Sequence, residues 1–223
     1  MTTRIRKSAE ARKIEIIEAA LRLAGDIGPD RMTTDALAKE VGISQPGIFR
    51  HFPTKVDIWD AVAQHIGKLL RANATASQNE DQLPIAKLTG LVVGQLMFIK
   101  STPAIPAILF SRELHAENDK LRAFFAGLIA QRQRLFSKLI AAEIEAGRFD
   151  KSLDPDDAAY LILALIQGLA MRWSLNARNF DLEDEGLRLL ELQLDGFKRK
   201  GRLMTTPQKT NRSTSKVKRK SGK

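Results

Sequence analysis

Gln45, Gly47, Phe49 and Arg50 fall within six consecutive residues, QPGIFR, and each offers a different kind of contact to a base edge. An arginine grips guanine through two parallel hydrogen bonds, and a glutamine prefers adenine in the same way. Phe49 offers an apolar face to a thymine methyl, and Gly47 lets the backbone come close to a partner. His51 follows directly, and Thr34 and Lys55 flank the stretch. Each of these three carries a donor suited to a phosphate oxygen. Ile48 and Phe52, four residues apart, can face inward together and leave the others pointing away. Three of these residues also have a plainer use: Phe49 can pack against the first helix, His51 can cap or pack, and Lys55 can simply be solvated.

The elements that must hold these side chains are legible from their punctuation. Thr33 or Thr34 can cap a helix, because a hydroxyl accepts from an orphan N–H of the opening turn. Ala36, Leu37, Ala38 and Val41 supply its apolar stripe, and Gly42 ends it in the left-handed conformation a helix C-terminus favours. Ser44 caps the next helix, and Pro46 falls in its first turn, where a missing N–H costs nothing. That second helix runs only to about Phe52. Thr54 then opens a long helix through a T-x-x-D capping arrangement with Asp57. Two short helices joined by a tight turn, the second polar at its front, form the arrangement that enters a major groove.

Residues of about 10–70 resemble the DNA-binding domain of the TetR family of bacterial one-component repressors. The matching features are an amphipathic first helix (Ile14, Ile17, Leu21, Ala24), a G-x-x-x-x-T-T lead-in from Gly28 to Thr34, and L-A-x-x-V-G-I-S from Leu37 to Ser44. The F-R-H-F block from Phe49 to Phe52 comes next, followed by Thr54 and Lys55. Residues 71–223 match only in length and helical character. The resemblance implies that Gln45, Gly47, Phe49 and Arg50 touch bases and that Thr34, His51 and Lys55 hold phosphates. One position departs: many relatives carry a tyrosine where Phe49 stands, and phenylalanine lacks the hydroxyl that bonds a phosphate. The resemblance also implies an all-α fold of about nine helices, with an N-terminal three-helix helix–turn–helix domain and a C-terminal helical domain for ligand binding and dimerisation.

Charge and composition agree. The net charge is +10, and it is unevenly placed. Residues 1–55 carry ten Lys/Arg against seven Asp/Glu, residues 56–204 carry nineteen of each, and residues 205–223 carry seven Lys/Arg and no acid. A basic end bearing a helix–turn–helix fits a polyanionic partner. The tail has almost no apolar residues and cannot offset the entropy of ordering, so it is expected to be disordered. It serves either solubility or auxiliary DNA binding. Arg4, Arg6 and Lys7 form a basic arm that either follows the DNA backbone or stays disordered. The expected division is therefore 1–55 for the DNA-binding domain and arm, 56–203 for the effector and dimerisation domain, and 204–223 for the tail.

Other classes find little support. There is no cysteine, which excludes a disulfide framework, a thiolate zinc site and a cysteine nucleophile, and fits a reducing cytoplasm. The N-terminus lacks the apolar core of a signal peptide. The strongly apolar run Ala158–Ile166 is well short of the ~18 residues a membrane span needs, and reads as a buried helix. No phosphate loop, H-E-x-x-H or G-x-S-x-G is present, so neither an enzyme nor a cofactor is expected. Glu113, His115, Glu117 and Asp119 cluster acid and imidazole, but a solvated face explains them better than a metal.

Beyond the first domain the pattern is helical throughout. A helix from Pro84 to about Ile99 is broken by Pro103 and Pro106, and a short helix lies near 106–115. A long one runs from about Asp119 to Ala146, another from Asp154 to about Arg178, and the last from Leu182 to about Arg202. Gln95, Phe98, Phe110, Phe124, Gln167, Met171 and Arg172 are the expected ligand-pocket residues: aromatic and sulfur side chains for a hydrophobic or amphipathic effector, two glutamines to orient it, and Arg172 to meet an acidic group. Leu161, Leu165 and Trp173, with Leu187, Leu190 and Leu194, are expected at a homodimer interface built as a four-helix bundle. These pieces suit a cytoplasmic homodimeric repressor that binds a palindromic operator and is released by a small molecule. Two alternatives stay open: a chromosome-organising or division-linked DNA-binding protein without ligand control, and a small-molecule carrier without DNA function.

Overall fold

Capping residues mark out the helices. In the computed structural model, which describes residues 8–76 and 82–198, helix α1 (Ala9–Ile27) begins at Ser8, whose hydroxyl accepts from the Ala11 N–H at 3.2 Å. It ends at Gly28, whose φ of 89° is easy only for glycine. Its buried face is Ile16, Ala19, Ala20, Leu21 and Ala24. Ile14 is exposed and Ile17 only half-buried, so the inward face is rotated from the expected stripe. The alanines explain the rotation, because small residues let neighbouring helices approach more closely than Ile14 would allow.

Helix α2 (Thr34–Val41) is capped by Thr33, which accepts from the Ala36 N–H at 3.1 Å. Gly42 closes it at φ 71°, its N–H turned back to the Ala38 and Lys39 carbonyls. Helix α3 (Gln45–Phe49) starts with Pro46 in its first turn; Ser44 occupies the cap position but makes no side-chain bond there. Helix α4 (Lys55–Ala76) has a reciprocal cap, with the Thr54 N–H donating to Asp57 at 2.9 Å and the Asp57 N–H donating to Thr54 Oγ1 at 3.1 Å. Ile16, Ala20, Leu37, Ile48, Ile58 and Val62 are fully buried and weld α1–α4 into one core. Truncating a side chain such as Leu37 to alanine costs about 2–5 kcal/mol.

Helix α5 (Pro84–Ser101) meets α6 (Ala104–Phe110) at a bend of 96° around Pro103. The bend lays α6 against α1, where Gly25 leaves room: a Cβ there would sit 3.2 Å from the Ala104 nitrogen. The short helix expected near 106–115 is two helices, because the Ser111 hydroxyl caps a separate α7 (Arg112–Glu117) by accepting from Leu114 at 3.0 Å. Ten helices therefore stand among the described residues. Helix α8 (Asp119–Glu145) is capped by Asn118, α9 (Pro155–Leu175) by Asp154 and α10 (Leu182–Lys198) by Asp181, each carboxylate or amide oxygen accepting from opening-turn N–H groups. Helix α4 continues past Arg71 to Ala76, further than expected. Arg4, Arg6, Lys7, residues 77–81 and the tail 204–223 lie outside the described residues.

The second unit is organised around α8 and α9, which pack together more extensively than any other pair. Helix α9 has the length and apolarity of a membrane span. It is instead a core helix, with Ala158, Ala159, Ile162, Leu163, Ile166, Leu169, Ala170 and Trp173 buried against its neighbours. Glu143 on α8 is 1% exposed and fully engaged. It accepts from Arg148 at 2.6 and 2.9 Å, and from the Ile85 N–H, an orphan of the first turn of α5, at 2.8 Å. Between α9 and α10 the chain turns through Ala177 and Arg178, both at positive φ (51° and 63°) without being glycine.

Candidate functional site

The short α3 is anchored from beneath. Ile48 is fully buried and Phe52 nearly so, which leaves Gln45, Phe49 and Arg50 exposed on one outer surface. Phe49 is 40% exposed, so it does not bury itself against α1. His51 is half-buried just past the helix, and Lys55 is the first residue of α4, half-buried beside the helix N-terminus. The sequence-predicted set of Thr34, Gln45, Gly47, Phe49, Arg50, His51 and Lys55 is thus brought to the ends and outer face of the helix–turn–helix. Two members are bonded to each other: Gln45 Nε2 donates to Thr34 Oγ1 at 2.7 Å. A Cβ at Gly47 would meet Ser44 and Ile43 only at ordinary contact distances of 3.4–3.5 Å. The fold itself therefore has no steric need for glycine there.

Arg22 on α1 and Glu40 on α2 pair at 3.1 Å, and Lys39 pairs with Asp35 at 2.9 Å. Arg50 is exposed at the end of α3.

A second candidate site lies within the second unit. A cavity of about 170 Å³ is lined by α4, α5, α6, α8 and α9. Of the expected pocket residues, Gln95, Phe98, Phe110 and Gln167 line it. Phe124, Met171 and Arg172 do not. Phe124 instead packs over Gly67, where a Cβ would lie 2.8 Å from its ring, and edge-on against Phe125 at 5.7 Å. Arg172 is turned the other way, donating to Glu185 on α10 at 2.6 Å with its guanidinium 4.7 Å from the Phe180 ring centroid. An arginine so engaged is not available to meet a ligand.

The residue that sequence reasoning missed is Arg132. It lines the cavity from α8, half-buried, with the ring of Phe136 at 5.8 Å as its one close partner among the described residues. Burial pushes its pKa below the usual arginine range. A signal for it exists: Phe125, Leu128, Arg132 and Leu135 follow at three- and four-residue steps, so Arg132 occupies a position in an apolar stripe. The wall also holds Gln95, whose Oε1 is buried without a partner, and Arg71 at its α4 side.

The expected dimer residues divide. Trp173, Leu190 and Leu194 are buried inside the protomer, at 5%, 0% and 7% exposure. They belong to its own core and cannot also form an interface. Leu165 and Leu187 are half-buried, and Leu161 is exposed. The apolar side chains that do face outward on α9 and α10 are Tyr160, Leu161, Leu175 and Leu192. Leu190 and Leu192 differ in direction because two residues along a helix is about 200° of rotation.

Comparison with known proteins matches both units. Residues 16–62 match the model of bacterial regulatory proteins of the tetR family, and residues 110–197 match that of the BetI-type transcriptional repressor C-terminal domain. The nucleoid occlusion factor SlmA of Actinobacillus pleuropneumoniae is 29% identical over 128 residues, which cover 55% of this chain and 63% of that protein. The chain thus spans less than two thirds of that relative's length. Among solved structures, a putative transcriptional regulator from Saccharomonospora viridis in complex with choline superposes with a TM-score of 0.71 at 24% identity, covering 84% of this chain and 97% of the other. The regulator FadR from Bacillus subtilis in complex with stearoyl-CoA superposes with a TM-score of 0.65 at 18% identity, covering 82% and 98%. With residues 16–62 of the helix–turn–helix unit and 110–197 of the helical second unit both matched, the chain belongs to the TetR family of bacterial transcriptional regulators.

Proposed function

We propose that this protein is a homodimeric repressor that reads a palindromic DNA operator through α3 and is released by a small molecule held in the cavity. The observation that carries the reading is the five-residue α3, clamped by Ile48 and presenting Gln45, Phe49 and Arg50 outward. In this reading Gln45 and Arg50 contact bases, Phe49 meets a thymine methyl, and Gly47 admits the sugar–phosphate wall closely. Thr34, His51 and Lys55 hold phosphates. The division into a DNA-binding unit through residue 55 and an effector and dimerisation unit from 56 to 203 places all of α4 except Lys55 in the second unit, although Ile58 and Val62 pack with the first. Two α3 helices are needed because one so short makes too few contacts alone. Tyr160, Leu161 and Leu192 supply the apolar surface that pairs them. Choline and stearoyl-CoA in two structural neighbours support a cavity that takes small molecules. Acting on chromosomal DNA, the protein works in the cytoplasm.

The test is selection of genomic fragments by the purified protein at about 150 mM salt with competing non-specific DNA, since basic segments bind any duplex at low salt. Recovery of one short palindrome at few sites supports the repressor. A second reading has its own observation: the relatives that match are named nucleoid occlusion factors. Recovery of many dispersed chromosomal sites supports that reading instead.

A further inference from the structure

The cavity is lined by two arginines, three glutamines and otherwise apolar side chains, with no aspartate or glutamate among them. Arg132 has no carboxylate partner among the described residues; its guanidinium rests near the face of Phe136. A cation withdrawn from water without a counter-charge is unfavourable, and a bound anion would remove that imbalance. Gln95 lines the same cavity from α5, its Oε1 buried without a partner, and its amide carries N–H groups that can donate to an anion. The remaining wall, from Phe98, Ile99, Ile105, Leu128 and Ile166, suits hydrocarbon. The cavity volume, about 170 Å³, is on the scale of a compact ligand.

We infer that the cavity takes a compact apolar carboxylate, its carboxylate accepting from Arg132 and Gln95 and its hydrocarbon seated between α5, α6 and α9. A quaternary ammonium is disfavoured, because the lining carries the cationic Arg132 and no acid. The inference rests on the proposed ligand-responsive reading and names the ligand class for that site.

Titration calorimetry on the full chain tests it with octanoate, octan-1-ol and octyltrimethylammonium, all below their micellar concentrations. Octanoate should bind at least about tenfold more tightly than the alcohol, the scale of a charge-assisted hydrogen bond, and the ammonium should bind weakest. Arg132→Gln should remove the preference for octanoate over octanol. A thermal melt and a DNA-binding measurement without ligand show that the variant is folded. Equal binding of octanoate and octanol by the wild type overturns the inference. So does an unchanged preference in Arg132→Gln, or binding of none of the three. Operator binding by the ligand-free protein is read separately. If the operator is bound but octanoate is not preferred, the ligand class alone fails. If no operator is bound, the repressor reading fails, whatever the calorimetry shows.

Discussion

Arg178, at the turn between α9 and α10, donates from Nη2 to the carbonyl oxygen of Gly25 at 2.6 Å, 153 residues away in the chain. Gly25 lies in the last turn of α1, where carbonyls have no intrahelical donor. The bond therefore ties the far end of the second unit to the first helix of the DNA-reading unit. Ser111 makes a parallel tie, donating to Asp30 at 2.5 Å. Arg178 holds its position at a φ of 63°, a conformation that costs a non-glycine residue roughly 1–2 kcal/mol.

Arg178→Ala should lower stability by about 1 kcal/mol, the net value of one hydrogen bond. Ala177→Gly, which relieves its own positive φ and breaks no bond, should leave stability unchanged or raise it. Urea unfolding of the two variants beside the wild type checks both. Equal destabilisation by both would mean that the turn, and not the bond, is what matters.

In the free protein Gln45 Nε2 donates one hydrogen bond to Thr34 Oγ1, which leaves its other N–H and Oε1 for the proposed contact with a base edge. Gln45→Ala should cost about 1–3 kcal/mol of operator affinity and relax preference at one base pair, as should Arg50→Ala. Lys55→Ala should weaken all sequences alike and reduce the salt slope by about one. Affinity measured on the operator and a scrambled duplex across a salt series separates the two behaviours.

Glu143 is held below the ordinary carboxylate range by its bonds to Arg148, which outweigh burial, with the Ile85 N–H adding to the effect. A depressed folded pKa stabilises fully above the unfolded value of about 4.3. The contribution is lost as pH falls from there through the folded value, because the unfolded chain takes up the proton first. Glu143→Gln should therefore be less stable than wild type at neutral pH and lose less on acidification. Unfolding midpoints between about pH 7 and pH 3 give the comparison; parallel curves would mean that Glu143 is not a source of the acid response.

Leu161→Glu places a charge on the exposed apolar face of α9 without touching the protomer core. It should convert a dimer to a monomer and reduce operator affinity strongly, while leaving the helical content intact. Trp173→Ala should instead destabilise the fold by about 3–5 kcal/mol, as expected for a core aromatic. Sedimentation and thermal melting distinguish the two effects.

The helix–turn–helix was legible because its boundaries are set locally: Thr33, Gly42, Pro46 and the Thr54–Asp57 pair each act within four residues. The split at Ser111 was not, since neither glycine nor proline marks it and a serine cap reads the same as an ordinary helix serine. The pocket was half legible. Gln95 and Phe98 stand out on an apolar helix, but Arg172 is neutralised by Glu185 on another helix, and one helix's periodicity cannot show that pairing. Arg132 sits in QRQRLF, a stretch that looks solvated until α5 and α9 are placed over it. Leu190 and Leu194 turn inward for a reason of the same kind: whether Leu190 or Leu192 faces the core is decided by where α5 and α9 lie.

Helix α4 carries Lys55 at its start and Ile66, Gly67, Leu70 and Arg71 in the cavity wall. At 1.5 Å per residue the two ends stand about 17–24 Å apart, and the rod between them is continuous. A swing of roughly 10° about the cavity end would carry the other by about 3–4 Å, close to one base-pair step of 3.4 Å. In the proposed symmetric pair both arms would swing, so the separation of the two α3 helices would change by up to twice that amount. The length of a single helix would then act as a gear ratio, turning a displacement of a few side chains into a misfit of whole base pairs.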